Sequence, residues 1–185
     1  MSLPVLQRAP DMPANCTISF ARPEHLKAIP GIQVAATSVF AESDVPLDIR
    51  YRTTAMDVLQ AAQESGQLWI ATGGNDHVIG YAMVYILDGL AHLDDLDVHP
   101  EHARQGIGSA ILRAVIDWAG RQQYAAMTLV TFRHLVWNAP FYEKFGFSEI
   151  KEEALGADLR ALLLDEVAAG LDGHNRIAMQ LSLSG

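Results

Sequence analysis

Two glycines, Gly106 and Gly108, stand where a short aspartate-rich run gives way to a helical pattern. A helix N-terminus presents several backbone N–H groups with no partner, at the positive end of the helix dipole. Glycine there has no Cβ, so a phosphate oxygen can approach the main chain closely. Neither common phosphate motif is complete. A dinucleotide fingerprint needs a third glycine at 111, where Ile111 stands, and a P-loop needs Gly-Lys-Ser/Thr, which is absent. Taken alone, Gly-x-Gly reads equally well as a plain strand-to-helix turn. Just upstream, Asp94, Asp95 and Asp97 cluster carboxylates, which raises at least one of their pKa values. His92, His99 and His102 are spread across a strand, a proline turn and a loop with no cysteine beside them, so no metal site is expected.

These residues need a strand, a turn and a helix to hold them. Leu93, Leu96 and Val98 read as a strand that ends at His99-Pro100. From Ile107 the apolar positions Ile111, Ala114, Val115 and Trp118 follow helical spacing, with Arg113, Asp117 and Arg121 opposite. Strict alternation along the strand places Asp94 on the face opposite Asp95 and Asp97. Upstream, the pattern predicts a strand over 17–21 and a helical region over 22–40 broken at Pro30-Gly31. A loop over 42–51 and a helix over 54–64 follow. Strands over 67–72 and 77–87 flank the turn Gly73-Gly74-Asn75-Asp76 and form an antiparallel hairpin. A buried strand over 125–132 is reached by a parallel crossover. Asn138, Pro140 and Gly146 bracket a short helix carrying Phe141 and Phe145. A strand over 147–152, an amphipathic helix over 157–169 and a last strand over 175–183 complete the chain.

Composition bounds the rest. The 185 residues, half of them hydrophobic, suit one globular domain, read as 16–185 behind an irregular, proline-bearing leader over 1–15. No apolar run approaches the roughly 20 residues that cross a bilayer, and no signal peptide is evident, so no membrane partner is expected. The net charge of -9 argues against nucleic acid. A lone cysteine, Cys16, forms no intrachain disulfide and fits a cytoplasmic setting.

Two segments together carry a family resemblance. The run VHPEHARQGIGSAIL resembles the acetyl-CoA segment of the GNAT family of N-acetyltransferases, whose Gln/Arg-x-x-Gly-x-Gly/Ala turn cradles the cofactor pyrophosphate. Ala103 departs from the first motif position. The second segment, WNAPFYEKFGF from Trp137 to Phe147, resembles that family's later cofactor and catalytic segment, Asn-x-x-Phe-Tyr-x-x-x-Gly-Phe.

The resemblance implies an α/β fold: a mixed, mostly antiparallel sheet of about seven strands, splayed at the acetyl-CoA site, with helices on both faces. It implies acetyl-CoA as co-substrate, with Leu96, Asp97 and Val98 beside its pantetheine arm and the Val98 N–H polarising the thioester carbonyl. Arg104, Gln105, Gly106, Ile107, Gly108 and Ser109 would hold the pyrophosphate. Asn138 and Phe141 would contact the cofactor from the short helix, and Tyr142 would be the general acid at sulfur. Asn138 serves a helix cap equally well. Asp94 is chosen as general base, because an acidic residue at the matching position has that role in some relatives. The implied reaction is direct attack by a primary amine in a ternary complex, on a small molecule or a peptide N-terminus. The helix over 157–169 would be an insert lining the acceptor site or a homodimer contact. The alternative is a module that binds acetyl-CoA without turnover.

Overall fold

The computed structural model of the chain describes residue 13 and residues 15–183, so the leader expected over 1–15 lies almost wholly outside the described residues. Seven strands form one sheet: β1 (Thr17–Phe20), β2 (Leu68–Thr72), β3 (Val78–Leu87), β4 (Leu90–Val98), β5 (Ala126–Phe132), β6 (Ser148–Glu149) and β7 (Arg176–Ser182). Their spatial order is β1-β2-β3-β4-β5-β7-β6. Every neighbouring pair is antiparallel except β4 and β5. The mixed sheet expected from the family resemblance is therefore present.

Alternation along β2 shows why helices cover both faces. Trp69 and Ala71 pack into the core that contains α4 (Ile107–Arg121). Leu68 and Ile70 point the other way, into a core shared with α1 (Ile29–Thr37) and α3 (Met56–Glu64). Ile111, Leu112 and Val115 of α4 are fully buried. At about 1.5–3 kcal/mol for each such side chain, this apolar face fixes α4 against the sheet. Gly80 of β3 lets the sheet close under α4: a Cβ there would stand 2.9 Å from the Asp97 carbonyl oxygen.

Several boundaries differ from the sequence reading. The break in the first helical region falls before Pro30. A 3-10 helix spans Pro23–Ala28, and Pro30 then sits in the first turn of α1, where its missing N–H costs nothing. The loop over 42–51 contains the single-turn helix α2 (Leu47–Arg50). The strand expected over 147–152 shrinks to the two residues of β6. The last helix, α6 (Ala157–Ala168), buries only Leu159 fully and leaves Leu164 and Val167 exposed. It lies over one end of the sheet without the broad apolar face that an amphipathic helix would bury.

Candidate active site

β4 is paired on both sides for only part of its length. Its parallel ladder to β5 joins Ala91, His92 and Leu93 to Met127, Thr128 and Leu129 and then stops, whereas β3 accompanies β4 to Val98. Beyond Leu93 the two strands splay, and the β5-facing backbone edge of β4 is free of sheet partners. An extended amide-bearing ligand can add to such an edge by main-chain hydrogen bonds. The gap opens into a cleft of about 730 Å³. Leu96, Asp97 and Val98 line it from β4, and Asn138, Phe141 and Tyr142 from α5 (Ala139–Glu143) and its leading residue. Arg104, Gly106, Ile107, Gly108 and Ser109 line it from the turn into α4.

The turn has the geometry an anion requires. Arg104 and Gly106 both take left-handed backbone angles, with φ 58° and 76°. Gly106 is the N-cap of α4 and supplies no side-chain cap. The first intrahelical bond here runs from the Ala110 N–H to the Gly106 carbonyl, so the N–H groups of Ile107, Gly108 and Ser109 precede the helical ladder. A Cβ at Gly108 would touch nothing closer than Val98 Cγ2 at 3.7 Å. The glycine there leaves space on the cleft side and is not demanded by packing.

The short helix presents Tyr142 from the opposite wall. Its ring stands edge-on to Phe141 and Phe147, at 5.2 and 5.9 Å between centroids. Burial first, and then the charges of Asp97 and Asp95, push the phenol well above its ordinary pKa, so it is a proton donor at neutral pH. Asn138 occupies the N-cap position, but its side chain makes no capping hydrogen bond; its carbonyl accepts from the N–H groups of Phe141 and Tyr142. The amide side chain is left to the cleft.

The carboxylates overturn the alternation argument. The β3–β4 register slips between Met83, opposite Asp95, and Val84, opposite Leu93, so Asp94 is the extra residue of a β-bulge. The bulge cancels one step of alternation, and Asp94 lies close enough to Asp95 and Asp97 for their charges to act on one another. Crowding of its carboxyl by protein atoms, then the charges of Asp95 and Glu166, push Asp94 up to about 8 even though the residue is open to water. Burial likewise raises Asp95 and Asp97. On the same face, Tyr85 is pushed to about 12 by burial and by the charges of Asp94 and Asp95.

Most of the residues expected from the sequence meet in one cleft. Gln105 does not line it: its side chain is exposed and donates to the Glu101 carbonyl at 3.4 Å. Asp94 is likewise not among the residues that line it; from its strand only Leu96, Asp97 and Val98 do. Ala36, Val39 and Phe40 of the α1 end, with Trp137, form an apolar wall that no motif marked. Tyr81 and Gln33, hydrogen-bonded to the aspartates, were also missed, because an apolar-looking strand and a helix interior gave no sign of them. Arg52 pairs with Asp48 at 2.9 Å, and Arg133 bidentately with Glu149 at 2.6 Å for each bond.

Among the described residues, no group of three or more His, Cys, Asp or Glu side chains is arranged to hold a metal ion. Nor is any described helix long and apolar enough to cross a membrane.

An open mixed sheet, a strand edge freed by splaying and a glycine-capped helix pointing into the same cleft define an acetyltransferase architecture. Residues 36–147, over half of the sequence, match the acetyltransferase (GNAT) family, and the chain belongs to it. Solved structures share the fold at low identity. The ribosomal-protein-S18-alanine N-acetyltransferase from Escherichia coli superposes with TM-score 0.65 and 20% identity over 92% of this chain and 95% of its own. An acetyltransferase of the GNAT family from Staphylococcus aureus gives 0.67 and 18%, over 91% and 99%. The PaiA N-acetyltransferase from Thermoplasma acidophilum, solved in complex with coenzyme A, gives 0.63 and 16%, over 90% and 98%.

Proposed function

We propose that this protein transfers an acetyl group from acetyl-CoA to a primary amine by direct attack within a ternary complex. The observation that carries the reading is the single cleft into which β4, the turn before α4, and Tyr142 all converge. In this reading the diphosphate lies on the N–H groups of Ile107, Gly108 and Ser109, with Arg104 alongside. The pantetheine arm pairs with the free edge of β4, and the Val98 N–H polarises the thioester carbonyl. Attack by the amine nitrogen forms the C–N bond, the C–S bond breaks, and Tyr142 protonates the departing thiolate. Cys16 is buried in the sheet core with its thiol pushed up by burial, which suits a structural residue better than an acyl carrier.

The amine is the harder half of the chemistry. An alkylammonium of pKa 10.4 is neutral in only about one molecule in 2500 at pH 7, a cost of about 4.6 kcal/mol. A carboxylate of β4 removes that proton in this reading. Thiol release from acetyl-CoA, measured over a panel of primary amines and peptide N-termini, tests the reading. At least one acceptor should accelerate release, and Tyr142→Phe should lower kcat by about 100-fold while leaving coenzyme A affinity unchanged. Tight cofactor binding with no acceptor-dependent release would instead identify a non-catalytic acetyl-CoA sensor.

A further inference from the structure

Behind the cleft wall, Tyr81 stands between two carboxylates on one strand. Its hydroxyl lies 2.7 Å from Asp95 Oδ2 and 3.3 Å from Asp97 Oδ2. A phenol has one proton to donate. Given to the nearer Asp95, it leaves only lone pairs facing Asp97. That approach is repulsive if Asp97 is ionised and becomes a hydrogen bond if Asp97 is protonated and donates. Gln33 fixes the polarity of the arrangement. Its Oε1 accepts from the Thr54 N–H at 3.0 Å, so its Nε2 is the donor, reaching Thr54 Oγ1 at 2.7 Å and Asp95 Oδ2 at 3.2 Å. Asp95 Oδ2 is thus within reach of two donors, while Asp97, which also lines the cleft, faces Tyr81 with a proton only if it carries one itself. No Lys, Arg or His forms an ion pair with either carboxyl among the described residues.

We propose that Asp95, Tyr81 and Asp97 act as one unit sharing a single proton, and that this unit, entered through Asp97, receives the proton of the acceptor ammonium. The proposal rests on the N-acetyltransferase reading and moves the base from Asp94 to the adjoining pair. Concerted transfer of the Asp97 proton to the Tyr81 oxygen, and of the Tyr81 proton to Asp95, leaves Asp97 ionised at the cleft with no net change of charge. Asp97 then takes a proton from the ammonium: an N–H bond breaks, an O–H bond forms, and the neutral amine is free to attack. The second proton is returned to water between turnovers. Asp97 is the catalytic residue of the unit; Tyr81 and Gln33 are positioning residues. Asp94, Tyr85 and Tyr142 face it from β4, β3 and α5, with Glu166 of α6 acting on Asp94 and Arg176 of β7 on Tyr142. Of these, Asp94 raises the Asp97 pKa by its charge, and the Tyr81 hydrogen bond lowers it.

Those opposing influences give variants of opposite sign. In the pH profile of kcat/KM with an active amine, Tyr81→Phe should move the acidic limb to higher pH by about one unit, a tenfold loss on that limb. Asp94→Asn should retain transfer and move the limb to lower pH. Carbon-13 titration of the aspartate carboxyls in the protein without ligands reads the unit directly: Asp95 and Asp97 should each report the same two steps, the second above the ordinary range, and should report separate single steps in Tyr81→Phe. Independent titration of the two near pH 4, or loss of transfer in Asp94→Asn, would overturn the proposal, the second outcome even if Tyr81→Phe fails to fold. If no amine is acetylated at all, the transferase reading fails while the carbon titration still decides whether the proton is shared.

Discussion

Asp88, at the tip of the β3–β4 hairpin, caps a helix that begins far along the chain. Its carboxylate accepts from the N–H groups of Asp158 and Leu159 at 3.0 and 3.1 Å, and Asp158 Oδ2 accepts in return from the Asp88 N–H at 3.0 Å. The local N-cap of α6, Gly156, makes no side-chain cap, and a Cβ built there would overlap the Asp88 carboxylate. Gly156→Ala must therefore displace the cap, at about 1 kcal/mol. Its own backbone, φ -65° and ψ 166°, suits any residue, so removing a glycine returns about 0.4–1 kcal/mol. In wild-type protein the two effects nearly cancel or leave a small loss. In Asp88→Gly, which keeps the positive φ of 51° comfortable, no cap remains to displace, and Gly156→Ala becomes stabilising. A double-mutant cycle from urea unfolding should give a coupling energy of about 1 kcal/mol, a difference of about 2–4 °C in Tm for a chain of this size. Gly156→Ala having the same effect in both backgrounds would refute the shared cap. The cap matters to the site because α6 carries Glu166, which binds Arg176 bidentately at 2.6 and 2.8 Å and contributes to the raised pKa of Asp94.

Gly108→Ala separates cofactor binding from stability. Its Cβ meets only Val98 at an ordinary distance, and alanine is the better helix former, so Tm should hold or rise. Coenzyme A affinity by calorimetry should fall by about tenfold or more, about 1.4 kcal/mol. Unchanged affinity would place the diphosphate elsewhere. His92 supplies a pH test of the core. It is buried against Thr128, and burial lowers its pKa to about 4. A base depressed in the folded state contributes stability above its unfolded pKa of about 6.5 that is lost as pH falls toward 4, at up to about 1.4 kcal/mol per unit. The stability advantage of wild type over His92→Asn, from urea midpoints, should shrink between pH 7 and pH 4.5; a constant gap would show that the ring is not held neutral.

What could be read from residues alone was local. The 3.6-residue spacing from Ile107 to Trp118, the glycines that start α4, and the Asn138–Phe147 pattern depend on neighbours within a turn or two. Residues from both segments line one cleft. Which face each aspartate takes was not local. Asp94 joins Asp95 and Asp97 because pairing with β3 inserts a bulge, and a one-residue slip in register reverses a side chain's face. The same holds for Tyr81, which looks like one more apolar residue of β3 until the sheet sets it between two carboxyls, and for Gly80, whose missing Cβ admits the Asp97 carbonyl. Helical periodicity is written into consecutive residues. Partners brought together by strand register exist only once the strands have met.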